Sequence, residues 1–276
     1  MMQVINTNVG SLNAQRALST TQEAQQTAME RLSSGTRINR AKDDAAGLSV
    51  ADNMTAQIRG LNQAVRNTND AISYVQTAEG ALDEISEMGQ RIRELAVQAD
   101  SGTLNSVQQD YIDQEVSALG AEIKNIVSNT EFNDKVVLSA GAITVQTGWE
   151  GGDTMSVGIA AGLNTSIGTL TSVHSAGQTA GTADTKALTL TNIDAALDKI
   201  NEARSTLGAQ QNRLEHNSAN LQNVSENISA SRSRILDTDF ASESAELART
   251  NVLQQAGMAM LSQANQSGQQ VLSLLR

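Results

Sequence analysis

Apolar residues in the N-terminal half of the chain recur at alternating steps of four and three, from Met54 to Leu82. This spacing places them on one face of an α-helix, in the heptad pattern of helices that pack along a seam. One short step, to Ile85, predicts a stammer before the pattern resumes as far as Ala99. The helix would be roughly 70 Å long and would stop at Gly102. We call its apolar face the rod seam and assign to it Ile58, Leu61, Val65 and Ile72.

Two further helices show the same spacing. Apolar residues from Val116 to Ile126 predict a shorter helix that doubles back on the first. Nearer the C-terminus, Leu and Ile recur every seven residues from Leu207 to Ile235, which predicts an antiparallel partner for the long helix. The rod seam continues on this partner through Leu214, Leu221 and Ile228.

The segment between these helices, roughly residues 135 to 191, is rich in Gly, Ser and Thr. Its alternating runs, such as Ile143 to Thr147, are typical of short strands. We interpret Trp149, the only tryptophan, as an anchor for a small β-cluster in preference to a binding residue. The expected fold class is therefore mainly α: a long antiparallel helical coiled-coil bundle formed by the N- and C-terminal regions, with a small β-rich hairpin segment in the centre.

Both ends of the chain also carry apolar stripes, a regular one near the C-terminus and a weaker one near the N-terminus. The remaining positions are rich in Gln, Asn, Ser and Thr, and such helices gain most of their stability from packing partners. We expect the two ends to pair with each other, to recognise further copies of the chain, and to be largely unfolded alone. The residues assigned to this assembly seam are Ile5, Val9, Leu12, Leu32, Leu253, Met260, Val271 and Leu274.

Composition favours a self-assembling structural subunit over a globular enzyme. Only 2% of the residues are aromatic, and the apolar content is mainly small or branched aliphatic, which suits helix seams. Proline, which costs about 3 kcal/mol inside a helix, is absent, and so is cysteine. The net charge is -11 with scattered cations, so we expect no nucleic-acid partner. No apolar run is long enough for a membrane span or a signal peptide, so we expect neither.

Candidate catalytic and metal-binding residues are sparse. His174 and His216 lie in different segments, and neither has the H-E-x-x-H spacing of a zinc site. The carboxylate pairs at Asp43–Asp44 and Asp83–Glu84 point to different helix faces, as neighbours in a helix do. We therefore predict that the chain is not an enzyme and that it uses no metal and no cofactor.

Three runs of sequence resemble the signatures of bacterial flagellins. They read LSSGTRINRAKDDAAGLSVADNM from Leu32, QRIRELAVQ from Gln90, and SRSRILDTDFASESAELART followed by QAGMAMLSQANQSGQQVLSLL near the C-terminus. In the first run, Ser34–Gly35 would break the terminal helix, and the basic residues from Arg37 to Lys42 would face Asp43 and Asp44. The resemblance covers nearly all of the chain outside residues 135–190.

The resemblance implies a structural subunit that polymerises into the bacterial flagellar filament for swimming motility. Residues 1–44 and 236–276 would form the inner core of the filament, 45–134 and 190–235 a helical rod, and 135–189 a small β-rich variable outer segment. A hook-filament junction protein of the same superfamily is the nearest alternative, and a soluble coiled-coil adaptor is another.

The resemblance also implies partners. In the family, the subunit leaves through the flagellar type III export channel without a cleavable signal peptide and becomes extracellular. A chaperone escorts its C-terminal helix, and it polymerises between the filament cap and the hook-filament junction proteins. Arg91, Leu95 and Glu115 match positions through which similar flagellins contact the vertebrate flagellin-sensing Toll-like receptor. Their other expected role is filament packing, with Arg91 in an ion pair between subunits.

Overall fold

The computed structural model describes residues 8–101, 103–139, 141–159, 167–168 and 190–273, with side chains as far as residue 266. Two compact units divide the chain. The described part of residues 1–56 and 227–276 forms the terminal unit, and that of residues 57–226 forms the bundle unit. Ile5 and Leu274 of the assembly seam, and the side chain of Val271, lie outside the described residues.

Long helices dominate both units, and short strands are confined to the bundle unit, which confirms the predicted fold class. The helices are α1 (Val9–Ser34), α2 (Ala45–Ala99), α3 (Ser106–Asn129), α4 (Leu190–Leu236) and α5 (Phe240–Ser273). The strands are β1 (Glu131–Phe132), β2 (Lys135–Val136), β3 (Ile143–Gln146) and β4 (Thr154–Val157). The long helix starts nine residues before Met54, where its apolar pattern begins. It ends at Ala99, the last residue of that pattern and three residues before the predicted stop at Gly102.

Helix ends follow from local chemistry. The Asn8 side chain accepts the backbone N–H of Ser11 and caps α1, whereas Gly35 ends α1 with a left-handed φ of 71°. Only glycine adopts that conformation readily, so the predicted break is confirmed. At α3, Asn105 and Gln108 satisfy each other's backbone N–H groups in a capping box.

In the bundle unit, α2 turns one continuous stripe toward the core. Its buried positions advance by alternating steps of three and four from Leu61 to Ile92 without interruption. The predicted stammer is therefore wrong, because the alanines at positions 64, 71 and 78 occupy the seam. The bulkier neighbours Val65 and Ile72, which we had assigned to the seam, lie half-buried on its flank.

Helix α4 runs antiparallel to this stripe. Asn62 meets Ser225, Asp83 pairs with Arg204, and Arg93 pairs with Asp194. From the first contact to the second, the position on α2 rises by 21 residues and the position on α4 falls by 21. From the second contact to the third, both change by 10 residues, so the register between the two helices is constant. Leu214 and Leu221 are buried as predicted, and Ile58 and Ile228 are half-buried within their own units.

Two antiparallel hairpins complete the bundle unit. Strands β1 and β2 pair across a turn at Asn133 and Asp134, both with positive φ, as tight hairpin turns require. Strands β3 and β4 pair with Ile143 opposite Val157. The Gln210 side chain of α4 donates to the carbonyl of Gly158 and accepts from its N–H, which attaches the end of β4 to the helix.

The position of the seam can be tested with two neighbouring substitutions. Because Ala78 is fully buried, we expect Ala78→Leu to overpack the core and to lower the free energy of unfolding by about 1–3 kcal/mol. Glu79 is half-buried and lies four residues after Val75 and three before Leu82, so the predicted spacing placed it in the seam. Glu79→Leu should change the free energy of unfolding much less. Urea unfolding of the monomer followed by circular dichroism measures both. A larger loss of stability from Glu79→Leu than from Ala78→Leu would support the predicted seam instead.

Candidate assembly surface of the terminal helices

Helices α1 and α5 pack antiparallel in the terminal unit. The Asn8 amide donates to the carbonyl of Ala264 at 2.9 Å, near the start of α1. The Gln25 and Asn251 side chains hydrogen-bond at 2.5 Å, midway along it. The pairing of the two ends, expected from the sequence, is therefore present.

The contact between these helices uses small and polar residues. From Thr250 onward, the buried or half-buried positions of α5 advance by steps of four and three, and they are Thr250, Gln254, Gly257, Leu261 and Ala264. Nearer the start of the helix, Glu243, Glu246 and Leu247 are also half-buried. A Cβ at Gly257 would lie 3.4 Å from Cδ1 of Leu18, so glycine there allows the backbones to approach closely. On α1, Ser11 and Ala28 are buried against this face.

The predicted assembly seam lies one residue away from this contact. Leu253 and Met260 precede the inward-facing positions, and their side chains are 44% and 65% exposed. One residue rotates a helical position by about 100°. Val9 and Leu12 of α1 are also exposed, whereas Leu32 is half-buried. Our expectation that these exposed residues are partners of each other within one subunit is therefore wrong.

Further exposed apolar residues extend this surface beyond the predicted set. They are Met29, Phe240, Val252 and Met258. Sequence reasoning missed them because it selected one stripe on each helix. The signal was present, however, since α5 carries adjacent apolar pairs such as Val252–Leu253, and only one member of such a pair can face α1. We call this exposed set, with Val9, Leu12, Leu253 and Met260, the assembly face.

The loops that flank the terminal helices pair with each other. Thr36 forms an antiparallel bridge with Asp237, and the Arg37 guanidinium donates to the carbonyl of Ile235 at 2.7 Å. The expected pairing of Arg37 and Arg40 with Asp43 and Asp44 is therefore wrong. Arg40 instead donates two hydrogen bonds, of 2.9 and 2.7 Å, to the Glu30 carboxylate of α1.

Asp43 accepts backbone N–H groups in the same loop. Desolvation would raise the pKa of its carboxyl, but the N–H groups of Arg40 and Asn39 and the nearby cations outweigh that effect and lower the pKa. A carboxyl whose pKa is lower in the folded state stabilises the fold above its unfolded pKa. The contribution is lost as the pH falls through the lowered pKa.

In the bundle unit, Arg91 joins two carboxylates. Its guanidinium lies 2.8 Å from Glu115 on α3 and 3.0 Å from Glu94 on α2. Hydrogen bonds to Glu115 first, and then to Glu94, raise the pKa of Arg91. These partners belong to the same chain, in contrast to the expected pairing between subunits. Leu95 is 2% exposed and packs into the core.

Comparison with known proteins identifies the family of the chain. Residues 5–142 match the family model for the bacterial flagellin N-terminal helical region, and residues 190–275 match that for the C-terminal helical region. Together the two matches span most of the chain. The chain belongs to the bacterial flagellin family. The assembly face of this flagellin is thus built by segments that both fall inside the matched regions.

Relatives of this flagellin match over its whole length. The flagellin of Halalkalibacterium halodurans is 46% identical over 99% of this chain and 100% of its own. The flagellin of Bacillus subtilis is 42% identical over 99% of both chains. The flagellar filament 33 kDa core protein of Treponema phagedenis is 42% identical, again over 99% of this chain.

This flagellin is a structural subunit that polymerises with identical copies into the extracellular flagellar filament. Its family is a structural one and not a family of enzymes. The hook-filament junction alternative has no better support, since the family models and these relatives are named for flagellin and the filament core.

The described residues contain neither a membrane-spanning helix nor a cluster suited to a metal ion. No helix there combines the length and apolar character needed to cross a membrane. No group of three or more His, Cys, Asp or Glu side chains there is arranged to hold a metal ion.

The close contact at Gly257 yields a matched pair of variants. Gly257→Ala should assemble normally, because its methyl group meets only the flexible end of Leu18 and alanine favours helix. Gly257→Leu should separate α1 from α5 and lower filament yield at least about tenfold, if the misfit costs at least about 1.4 kcal/mol. Sedimentation of polymerised protein measures both. Equal yields from the two variants would contradict the close approach.

Proposed function

We propose that this flagellin couples the folding of α1 and α5 to polymerisation. The observation that carries the proposal is the assembly face, a large set of apolar side chains that the helix pair leaves exposed. Soluble proteins rarely expose contiguous apolar surface of this kind unless a partner covers it. In a filament of identical subunits, neighbouring copies would cover this surface.

The energetics favour ordering on assembly. Fixing the backbone costs roughly 1–2 kcal/mol per residue, and the seam between α1 and α5 buries mainly small and polar groups that offset little of it. Each Leu or Val that a neighbour covers contributes about 1.5–3 kcal/mol. The helix pair is therefore marginal in a free subunit and stable in the filament.

We assign roles to the regions on the same basis. Residues 1–44 and 236–276 form the inner core of the filament, because they carry the assembly face. Residues 45–134 and 190–235 form the rod, whose apolar residues are largely satisfied within the chain. Residues 135–189 form the small outer segment. The unit boundary near residues 56 and 227 falls inside the proposed rod.

We propose that the subunit leaves the cell through the flagellar export channel without a cleavable signal peptide. A chaperone that covers the assembly face of α5 would keep exported chains from polymerising early. The cap and the hook-filament junction proteins would then meet the same helices at the two ends of the filament. We propose no catalytic activity and no nucleic-acid or membrane partner, in keeping with a structural family.

A substitution on the assembly face tests the coupling. Met260→Asp places a charge where a neighbour must pack, so we expect no filaments by electron microscopy. Its bundle unit should unfold in urea like that of the unmodified chain, since residue 260 lies in the other unit. Met260→Leu, which keeps the apolar surface, should polymerise normally. Filaments of normal length from Met260→Asp would contradict the proposal.

We also propose that Arg91, Leu95 and Glu115 contribute to recognition by the vertebrate flagellin-sensing Toll-like receptor. The resemblance of the QRIRELAVQ run supports this role. Arg91 and Glu115 are both about half exposed, so they are available to a receptor on a free subunit. Leu95 is buried, so it would contribute indirectly, by packing α2 against the core.

The receptor proposal has an internal control. Arg91→Asp breaks the link to Glu115, and we expect monomers of this variant to activate the receptor at least about tenfold less, as loss of an interfacial arginine does. Arg93→Asp breaks a comparably exposed ion pair, with Asp194, and should leave activation unchanged. A reporter-cell titration with purified monomers measures both. Normal activation by Arg91→Asp would refute the proposal.

A further inference from the structure

The methionines of the chain form two groups that differ in exposure. Six of the eight, all but the first two residues of the chain, lie within the described residues. Three of the six are half-buried, and they are Met54, Met88 and Met155. The other three are between 52% and 65% exposed, and they are Met29, Met258 and Met260. All three exposed methionines belong to the assembly face, so the accessible thioethers lie where neighbouring copies would pack.

On α5, the two exposed methionines border the contact with α1 on both sides. Met258 directly follows Gly257, and Met260 directly precedes Leu261, and both of those neighbours belong to the stripe that packs on α1. One residue turns a helical position by about 100°, so the two methionine side chains leave the helix on opposite sides of the stripe. A copy that approaches α5 from either side therefore meets a thioether.

The half-buried methionines are placed differently. Met88 and Met155 pack against the apolar core of the bundle unit, and Met54 lies near the start of α2. Oxidation of methionine depends on how well an oxidant reaches the sulfur. The order of exposure therefore predicts that an oxidant reaches the assembly face before it reaches the core.

Methionine is the side chain through which this chain can respond reversibly to an oxidant, because cysteine is absent. The sulfur lone pair attacks one oxygen of hydrogen peroxide, an S–O bond forms and the O–O bond breaks. The other oxygen leaves as hydroxide, takes the proton of the first and becomes water. The sulfur loses two electrons and the peroxide gains them, so one peroxide gives one methionine sulfoxide and one water.

A sulfoxide changes the character of the assembly face. It replaces a flexible apolar side chain by a polar one whose oxygen accepts hydrogen bonds. Covering that oxygen with the apolar side chains of another copy would remove its water without supplying a donor, which is unfavourable. The thioether carries no such penalty, because methionine packs readily against irregular apolar surface.

We propose that Met29, Met258 and Met260 are a modification site, at which a peroxide-class oxidant reversibly blocks polymerisation of the free subunit. Chains with intact thioethers add to the filament, and their sulfurs are then covered and protected. Oxidised free chains are restored by methionine sulfoxide reductases, which pass the sulfoxide oxygen to water while two thiols become a disulfide. This inference rests on the proposed role of the assembly face.

The first test maps the oxidation. Monomers and filaments of the unmodified chain are treated with hydrogen peroxide, the excess is removed with catalase, and tryptic peptides are sequenced by mass spectrometry. In monomers, we expect Met258 and Met260 to be oxidised at least about fivefold faster than Met88 and Met155. In filaments, the same two should be oxidised at least about fivefold more slowly than in monomers. Equal rates in either comparison overturn the inference.

The second test measures polymerisation with matched variants. After peroxide treatment, the unmodified chain should need at least about tenfold more protein to form sedimentable filaments. One variant carries leucine at each exposed position (Met29→Leu, Met258→Leu and Met260→Leu), and it should polymerise equally before and after treatment, because leucine keeps the apolar surface. The control carries Met54→Leu, Met88→Leu and Met155→Leu, and it should lose polymerisation as the unmodified chain does.

A third measurement needs no variant. The oxidised unmodified chain is incubated with methionine sulfoxide reductases for both sulfoxide epimers and with dithiothreitol. We expect the added oxygen to disappear from the assembly-face peptides and polymerisation to return. Urea unfolding of the bundle unit should be the same before oxidation, after it and after repair, since the three residues lie in the other unit.

The outcomes separate this inference from the proposed function. Normal polymerisation of a chain oxidised at all three positions overturns the inference alone, and so does a leucine variant that stays sensitive to peroxide or a repaired chain that stays inactive. An untreated chain whose Met260→Asp variant forms normal filaments contradicts the proposed role of the assembly face and this inference with it.

Discussion

A pair of helices can bury only the stripe along which the two touch, whereas three helices and two hairpins can enclose a core. This constraint separates the two units of the flagellin. In the bundle unit, α2, α3 and α4 surround a continuous apolar cluster, and the hairpins cover part of the remaining surface. In the terminal unit, α1 and α5 touch along one stripe of mainly small and polar residues, so many of their larger apolar side chains stay outside. The bundle unit buries most of its large apolar side chains within the chain, whereas the terminal unit presents its own to neighbouring copies.

Charge plays a secondary part in both units. The ion pairs between helices are partly exposed, and pairs of that kind contribute little to stability. Their value lies in position, because Asp83 with Arg204 and Arg93 with Asp194 hold α2 and α4 in one register. In the terminal unit, Arg31 of α1 lies 3.8 Å from Glu243 of α5 and does the same for that helix pair. A misaligned register would turn the wrong residues toward neighbouring copies, and a filament repeats any such error at every subunit.

For a protein of this family, the functional site is an arrangement of surfaces. The assembly face on the terminal helices offers broad apolar surface, whereas ion pairs and hydrogen bonds between helices fix the register of the elements within each unit. Apolar contact is non-directional, and a hydrogen bond is directional. The first kind of contact supplies a driving force for polymerisation, and the second fixes the shape of the subunit that polymerises.

The sequence by itself determined the existence and approximate limits of the helices, the break at Gly35, the hairpin segment and the family. These features depend on heptad spacing, on the absence of proline and on glycine's access to positive φ, all of which are local. Only the tertiary structure decided which face of each helix is buried. In the pairs Ala64–Val65 and Leu253–Gln254, either of two adjacent residues could face the partner helix, and the two positions are about 100° apart around the helix. The apolar pattern favoured Val65 and Leu253. Packing chose the other residue because small or flexible side chains let the backbones approach closely, and that gain is visible only when the partner helix is present.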